Sequence, residues 1–257
     1  MTEEPSAKRH HAETSDNRSN LVDINVPGEK HEYTRTLKGV ELHVKEMLEI
    51  VWISEPDKAD EVISRLWRKL GGRFCRIVGV GVHYTNEDKP PQMAAVLQLC
   101  VDELCLVYHI AAATKLPKRL KDFPREEKLY TLVGFSIGGD KRMLEKSGLE
   151  INPNHFIDMQ HKWKDPKTSK YYDSLADVAG GIIHPFYEGM KKKMNREDHK
   201  LWGNSPLPDK LITYAGIDAY ATYKSWKTID NIMTGWDISK EQEADPYYHC
   251  NFADEDA

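Results

Sequence analysis

Three apolar runs follow one another between residues 73 and 110: RFCRIVGVGVHY, MAAVLQLCV and LCLVYHI. Each is β-branched or apolar and of strand length, and turn-like TNEDKPPQ and Asp102-Glu103 separate them. The spacing predicts an antiparallel three-strand meander. Downstream, helical and strand patterns alternate. A short helical region near residues 113–121 precedes the buried strand LYTLVGF, and Gly138-Gly139 leads into the helix DKRMLEKSG. A short strand around HFIDMQ, a helix through YDSLADVAGGI and a long helix from about Asp209 to Met233 complete the series. Upstream, TRTLKGVELHV alternates partly, and EIVWIS leads into the helix DKADEVISRLWRKLGG, with Asp57 as its cap and Gly71-Gly72 as its stop. Three strands followed by alternating helix and strand predict an α/β domain with a mixed sheet of about five or six strands flanked by helices.

A chain of 257 residues with 40% hydrophobic and 30% charged residues can bury a real core, which excludes collagen-like and wholly disordered classes. No apolar run approaches the ~20 residues of a membrane-spanning helix, and MTEEPSAKRHH lacks the apolar core of a secretory signal. The expectation is a protein kept inside the cell, in nucleus or cytoplasm. Lys8-Arg9-His10-His11 is too short for an import signal and reads as part of a solvated tail. Cys75, Cys100, Cys105 and Cys250 form no zinc spacing and read as reduced, mostly core residues. The net charge of -5 is uneven: Asp237, Glu241, Glu243, Asp245, Asp254, Glu255 and Asp256 face Lys240 alone, leaving the body near neutral. The organisation expected is a disordered polar tail over 1–30, one domain over 31–236 and an acidic flexible tail over 237–257.

Two places carry candidate chemistry. Tyr214 and Asp218 stand four residues apart in the last helix, so they share one face. A carboxylate that holds a cation beside a phenol that orients water needs this spacing; so does a half-buried tyrosine next to a surface aspartate on any amphipathic helix. Asp140 follows a strand and two glycines and opens a helix, the strand end at which α/β sheets collect functional groups. A plain helix cap fits that position equally.

Taken in order, IVGVGVHY, AAVLQLCVDELCLVYHI, LVGFSIGGDKRMLEKSG and WGNSPLPDKLITYAGIDAYATYKSW resemble the 3'-5' exonuclease domain of the Werner syndrome and RNase D type, particularly its plant members, over about residues 45–235. The resemblance implies an RNase H-like fold and a site of four carboxylates and a tyrosine around two divalent cations, Mg²⁺ or Mn²⁺, that remove nucleotides from a strand end. It assigns the second motif's aspartate to Asp140 and the third motif's pair to Tyr214 and Asp218. The first motif departs. Where the family reads GxDxE, this chain has Gly81 and His83 in the carboxylate positions. Glu87 and Asp88 fall in the following turn, and bringing them back would need a register change that flips the strand's apolar face.

Two carboxylates then face four positive charges. His83 offers a nitrogen, which suits Zn²⁺, Mn²⁺ or iron better than Mg²⁺, or is a strand histidine bonded to backbone. Lys191, Lys192, Lys193, Arg196, His199 and Lys200 form a basic run before Trp202. Such a run can neutralise phosphates while the indole stacks a base, or it is a solvated loop. The expected function is nucleic-acid binding at single-stranded DNA or RNA ends with little or no turnover. The alternatives are an exonuclease with an altered metal site, and a scaffold that pairs with an active homologue or another protein.

Overall fold

The computed structural model describes residues 24–71, 76–122, 130–149, 155–190 and 193–235. The acidic tail expected over 237–257 lies outside these residues, as do Cys75, Cys250, Lys191 and Lys192.

Seven strands form one mixed sheet, one more than the upper expectation, because both N-terminal runs pair. They are β1 (Thr34–Glu41), β2 (Met47–Ile53), β3 (Ile77–Tyr84), β4 (Ala94–Val101), β5 (Leu104–Tyr108), β6 (Thr131–Gly134) and β7 (Phe156–Asp158), in the order β1-β2-β5-β4-β3-β6-β7. The meander β3-β4-β5 is antiparallel as expected, while β2 runs parallel to β5, and β6 parallel to both β3 and β7. Every residue of β4 and β5 is buried, which is why these runs read as continuously apolar instead of alternating. Cys100 and Cys105 face each other across the β4–β5 ladder as buried free thiols.

Helix α1 (Pro56–Leu70) covers β2, β5 and β4, α2 (Lys118–Asp122) packs on α1, and α3 (Gly138–Lys146) covers β3 and β4. α4 (Met159–Lys162), α5 (Leu175–Ile182) and α6 (Arg196–His199) lead to α7 (Asp209–Thr234), which crosses the sheet from β2 to β6. Two glycines permit that crossing. A Cβ on Gly79 would stand 2.6 Å from the Ala219 carbonyl oxygen and 2.7 Å from Tyr223 Cβ, and one on Gly216 would stand 2.6 Å from Ile50 Cγ1. Helix and sheet approach there more closely than any side chain allows.

Local signals diverge in three places. Asp57 lies inside the first turn of α1, after Pro56, and Glu55 is the cap residue without a side-chain bond. Gly71 does end α1, but at φ -61, so the stop owes nothing to the left-handed region. The segment 24–30, read as tail, is tied to the domain at a few points: Ile24 and Val26 are buried, Ile24 N donates to Thr114 O at 3.0 Å, and Lys30 Nζ donates to Val26 O and Ala111 O. Polar composition hid two apolar anchors. Among the described residues no helix is long and apolar enough to cross a membrane.

Candidate active site

Strand β3, the start of α3 and the middle of α7 meet at a cavity of about 280 Å³ that exposes Gly81, Asp140, Asp173, Ser174, Asp218 and Thr222. Asp140 is not the cap of α3. Ile137 occupies that position, and Asp158, at the end of β7, accepts from the N–H groups of Ser136 at 2.9 Å and Ile137 at 3.1 Å. With the capping bonds made by Asp158, the Asp140 carboxylate is left to face the cavity. There Tyr84 donates its hydroxyl to Asp140 Oδ1. The β3–β4 register shifts between His83 and Tyr84, a bulge of the kind that re-aims a side chain. Gly139 makes room, since a Cβ on it would lie 2.7 Å from the Tyr84 hydroxyl.

Electrostatics mark the two carboxylates. Burial, and then the charge of Asp140, push Asp218 up to about 7. Burial pushes Asp140 up to about 6, with the charge of Asp158 acting the same way and the Tyr84 hydrogen bond opposing it. Both shifts disfavour the charged form. Between an unfolded carboxylate's pKa near ~4 and the folded value, the folded state holds a proton that the unfolded chain lacks. Stability attached to Asp218 is therefore present at low pH and lost as pH rises through about 7. Replacing Asp218 with Asn is expected to leave stability at pH 4 nearly unchanged and to raise it at pH 8 by about 2 kcal/mol, a value discounted for the cavity's contact with solvent. Urea unfolding of both proteins across that range is the check, and equal curves would show that Asp218 ionises freely.

At the other first-motif position, the His83 ring stacks on Trp202, with centroids 3.8 Å apart and planes 9° apart, and lies 5.8 Å from the Tyr214 ring. Burial and the neighbouring His199 push His83 down to about 3, so the imidazole is neutral, and its Nε2 has no hydrogen-bond partner. Among the described residues no group of three or more His, Cys, Asp and Glu side chains is placed to hold a metal ion.

Of the basic run and its tryptophan, the structure places Trp202 in the core and pairs two of the cations with carboxylates. Trp202 is 1% exposed, sandwiched behind His83, and its carbonyl accepts from His109 Nε2 at 3.0 Å; it is a core residue with no face free for a base. Arg196 pairs with Glu87 at 3.1 Å, and Lys200 with Asp88 at 3.0 Å and Glu197 at 3.1 Å. Glu87 and Asp88 thus reach the basic run and not the carboxylate cavity, as the turn position required. Lys193 is exposed, with its ammonium 5.0 Å above the Phe186 ring. Between the acidic turn and α6 lies a second cleft of about 290 Å³. Sequence reasoning missed Asp173 and Gln98. The first was hidden beside Ser174, the cap of α5, and the second stands within the apolar run of β4.

No family model matches the chain, and no curated protein matches it. Solved structures do. The EXO domain of Aedes aegypti Nibbler superposes with a TM-score of 0.53 at 14% identity, covering 73% of this chain and 88% of that one. The catalytic core of RRP6 from Trypanosoma brucei gives 0.51 at 14% identity, over 80% of this chain and 54% of that one. A nuclease solved in its apo form gives 0.50 at 14% identity, over 70% and 82%. At such identity the likeness is one of fold.

Proposed function

We propose that this chain, whose fold is that of 3'-5' exonuclease domains, is catalytically silent and acts by binding single-stranded nucleic-acid ends without shortening them. The observation that carries the reading is Gly81, where a carboxylate is required and no side chain exists. Two divalent cations bring four positive charges, against which Asp140 and Asp218 set two negative ones, held partly protonated by burial. The residues present do not fit a metal pair. Tyr84 instead satisfies Asp140 by a hydrogen bond, and His83 stays neutral against Trp202. The test is an end-labelled strand incubated with Mg²⁺ or Mn²⁺; shortening that disappears in Asp218→Ala would overturn the reading.

The ion pairs of the basic run favour a second reading, a scaffold that binds protein, because phosphates must displace Glu87 and Asp88 to reach Arg196 and Lys200. Exposed pairs of this kind are weak, about 0–1 kcal/mol each, so displacement by a strand is affordable. Substituting Glu87→Gln, Asp88→Asn and Glu197→Gln together releases both cations. Single-strand affinity at low salt is expected to rise several-fold, and the slope of log affinity against log salt to steepen by about 1.4, two phosphates at ~0.7 each. An unchanged slope, or no binding by either protein, assigns the surface to the scaffold reading.

A further inference from the structure

A separate cavity of about 260 Å³ lies where the turn Pro185–Gly189, with Met190, Lys193 and Met194, meets the first half of α7. Phe186, Met190, Met194, Tyr214 and Ile217 give it apolar walls. Its charged groups are Asp209, Lys210 and Lys193. Arg35 holds Asp209, and Asp198 holds Lys210. Among the described residues Lys193 makes no ion pair, and its ammonium stands over the Phe186 ring. The volume is below the roughly 300–1,000 Å³ of sites for drug-sized ligands and suits a single ring anchored from a chain. A nucleobase would bring polar edges that these walls leave unsatisfied, which favours a plain phenyl ring with a negative charge beside it.

The sequence beyond Gly235 contains that combination: Phe252 stands two residues before the run Asp254-Glu255-Asp256. We propose that this chain's own segment 237–257 docks on the cavity, with the Phe252 ring between Phe186, Met190 and Met194 and the acidic run against Lys193. Length permits it. Gly235 ends α7 in the left-handed conformation, at which a chain leaves the helix axis. Tyr214 lies 21 residues back from Gly235, roughly 31 Å at the helical rise. Phe252 lies 17 residues beyond it, a stretch that spans up to roughly 56 Å when extended. Charge favours it as well, since residues 237–257 set seven carboxylates against Lys240 alone, while Lys191-Lys192-Lys193 follows the wall residue Met190 in sequence. Tethering raises the effective concentration of the ring to about the millimolar range, so a contact too weak to hold a free peptide is populated here.

Methyl NMR of the full chain, labelled at methionine, is the test. Met190 and Met194 report the cavity, and Met93, Met143 and Met159 report other parts of the core. Phe252→Ser is expected to shift the Met190 and Met194 methyls, by removing the ring current of a docked phenyl, and to leave the other three in place. Tyr247→Ser with Tyr248→Ser should leave all five in place. Asp254→Asn, Glu255→Gln and Asp256→Asn together, or added salt, should move Met190 and Met194 part of the way that Phe252→Ser does. Each exchange lies outside the described residues, and a cooperative melting curve establishes that the domain is intact. Identical Met190 and Met194 resonances in Phe252→Ser and wild type would overturn the proposal. So would equal shifts from the tyrosine pair, or a shift that disappears on dilution, which would assign the ring to a second copy. Lys193 also belongs to the proposed strand contacts, so Phe252→Ser should raise single-strand affinity several-fold, an arm that rests on the strand-binding reading. Methyl shifts without a gain in affinity uphold the docking and count against that reading alone.

Discussion

End-labelled single-stranded DNA or RNA incubated with this protein in Mg²⁺ is expected to stay full length, with any shortening below that of an intact four-carboxylate site by on the order of 10³-fold or more, because groups that act as a unit fail together. The gain-of-function counterpart is Gly81→Asp with His83→Glu, which is expected to create Mg²⁺-dependent digestion from the 3' end, each single change doing far less. Gly81 sits in the paired β3–β4 ladder and its φ is not positive, so an aspartate there meets no backbone strain. What it meets is the Gln98 carboxamide, the far end of a flexible side chain, which must rotate aside. The harder change is at 83, where a carboxylate replaces a neutral ring stacked on Trp202. A double variant with wild-type melting that neither binds Mn²⁺ nor cuts would show a pocket remodelled beyond these two positions.

Trp202→Ala is expected to cost 3–5 kcal/mol, in the range of large aromatic truncations in cores, and to lower the melting midpoint by roughly 10 °C. The indole is the stacking partner of His83, and the Trp202 carbonyl accepts from His109, whose Nδ1 in turn pairs with the Tyr33 hydroxyl. Burial holds His109 down to about 4, so it bridges these groups as a neutral ring. Single-strand affinity per folded molecule is expected to be unchanged. A variant that melts like the wild type but loses nucleic acid would restore the base-stacking role to Trp202.

The misreading of Trp202 shows where sequence legibility stops. A tryptophan next to lysines looks like a stacking platform, and nothing local reveals that His83, distant in the chain, stacks on its ring while His109 holds its carbonyl. The meander was legible because β4 and β5 are buried on every residue, and α7 because its bounds follow one helical pattern. Motif order singled out Asp140, Tyr214 and Asp218; Asp140 and Asp218 line one cavity, and Tyr214 lines another beside Phe186 and Lys193. It did not reach Tyr84 and Gln98, because each acts through the register of one ladder: the shift after His83 re-aims the tyrosine, and the pairing of Gly81 with Gln98 brings the amide over the glycine. Periodicity reports which face a residue takes, and not which residue stands across from it.

Strand β3 is held by β4 through positions 79–83 and by β6 at 77–79, so its backbone has no freedom to adjust around a changed site. An inserted or deleted residue would turn the whole strand over, whereas a side-chain exchange leaves every pairing intact. Heritable change at this site is thereby confined to substitution. Some glycine codons stand a single base from aspartate, while histidine and glutamate differ by more. A gene encoding this domain can therefore exchange side chains at positions 81 and 83 without passing through an unfolded protein.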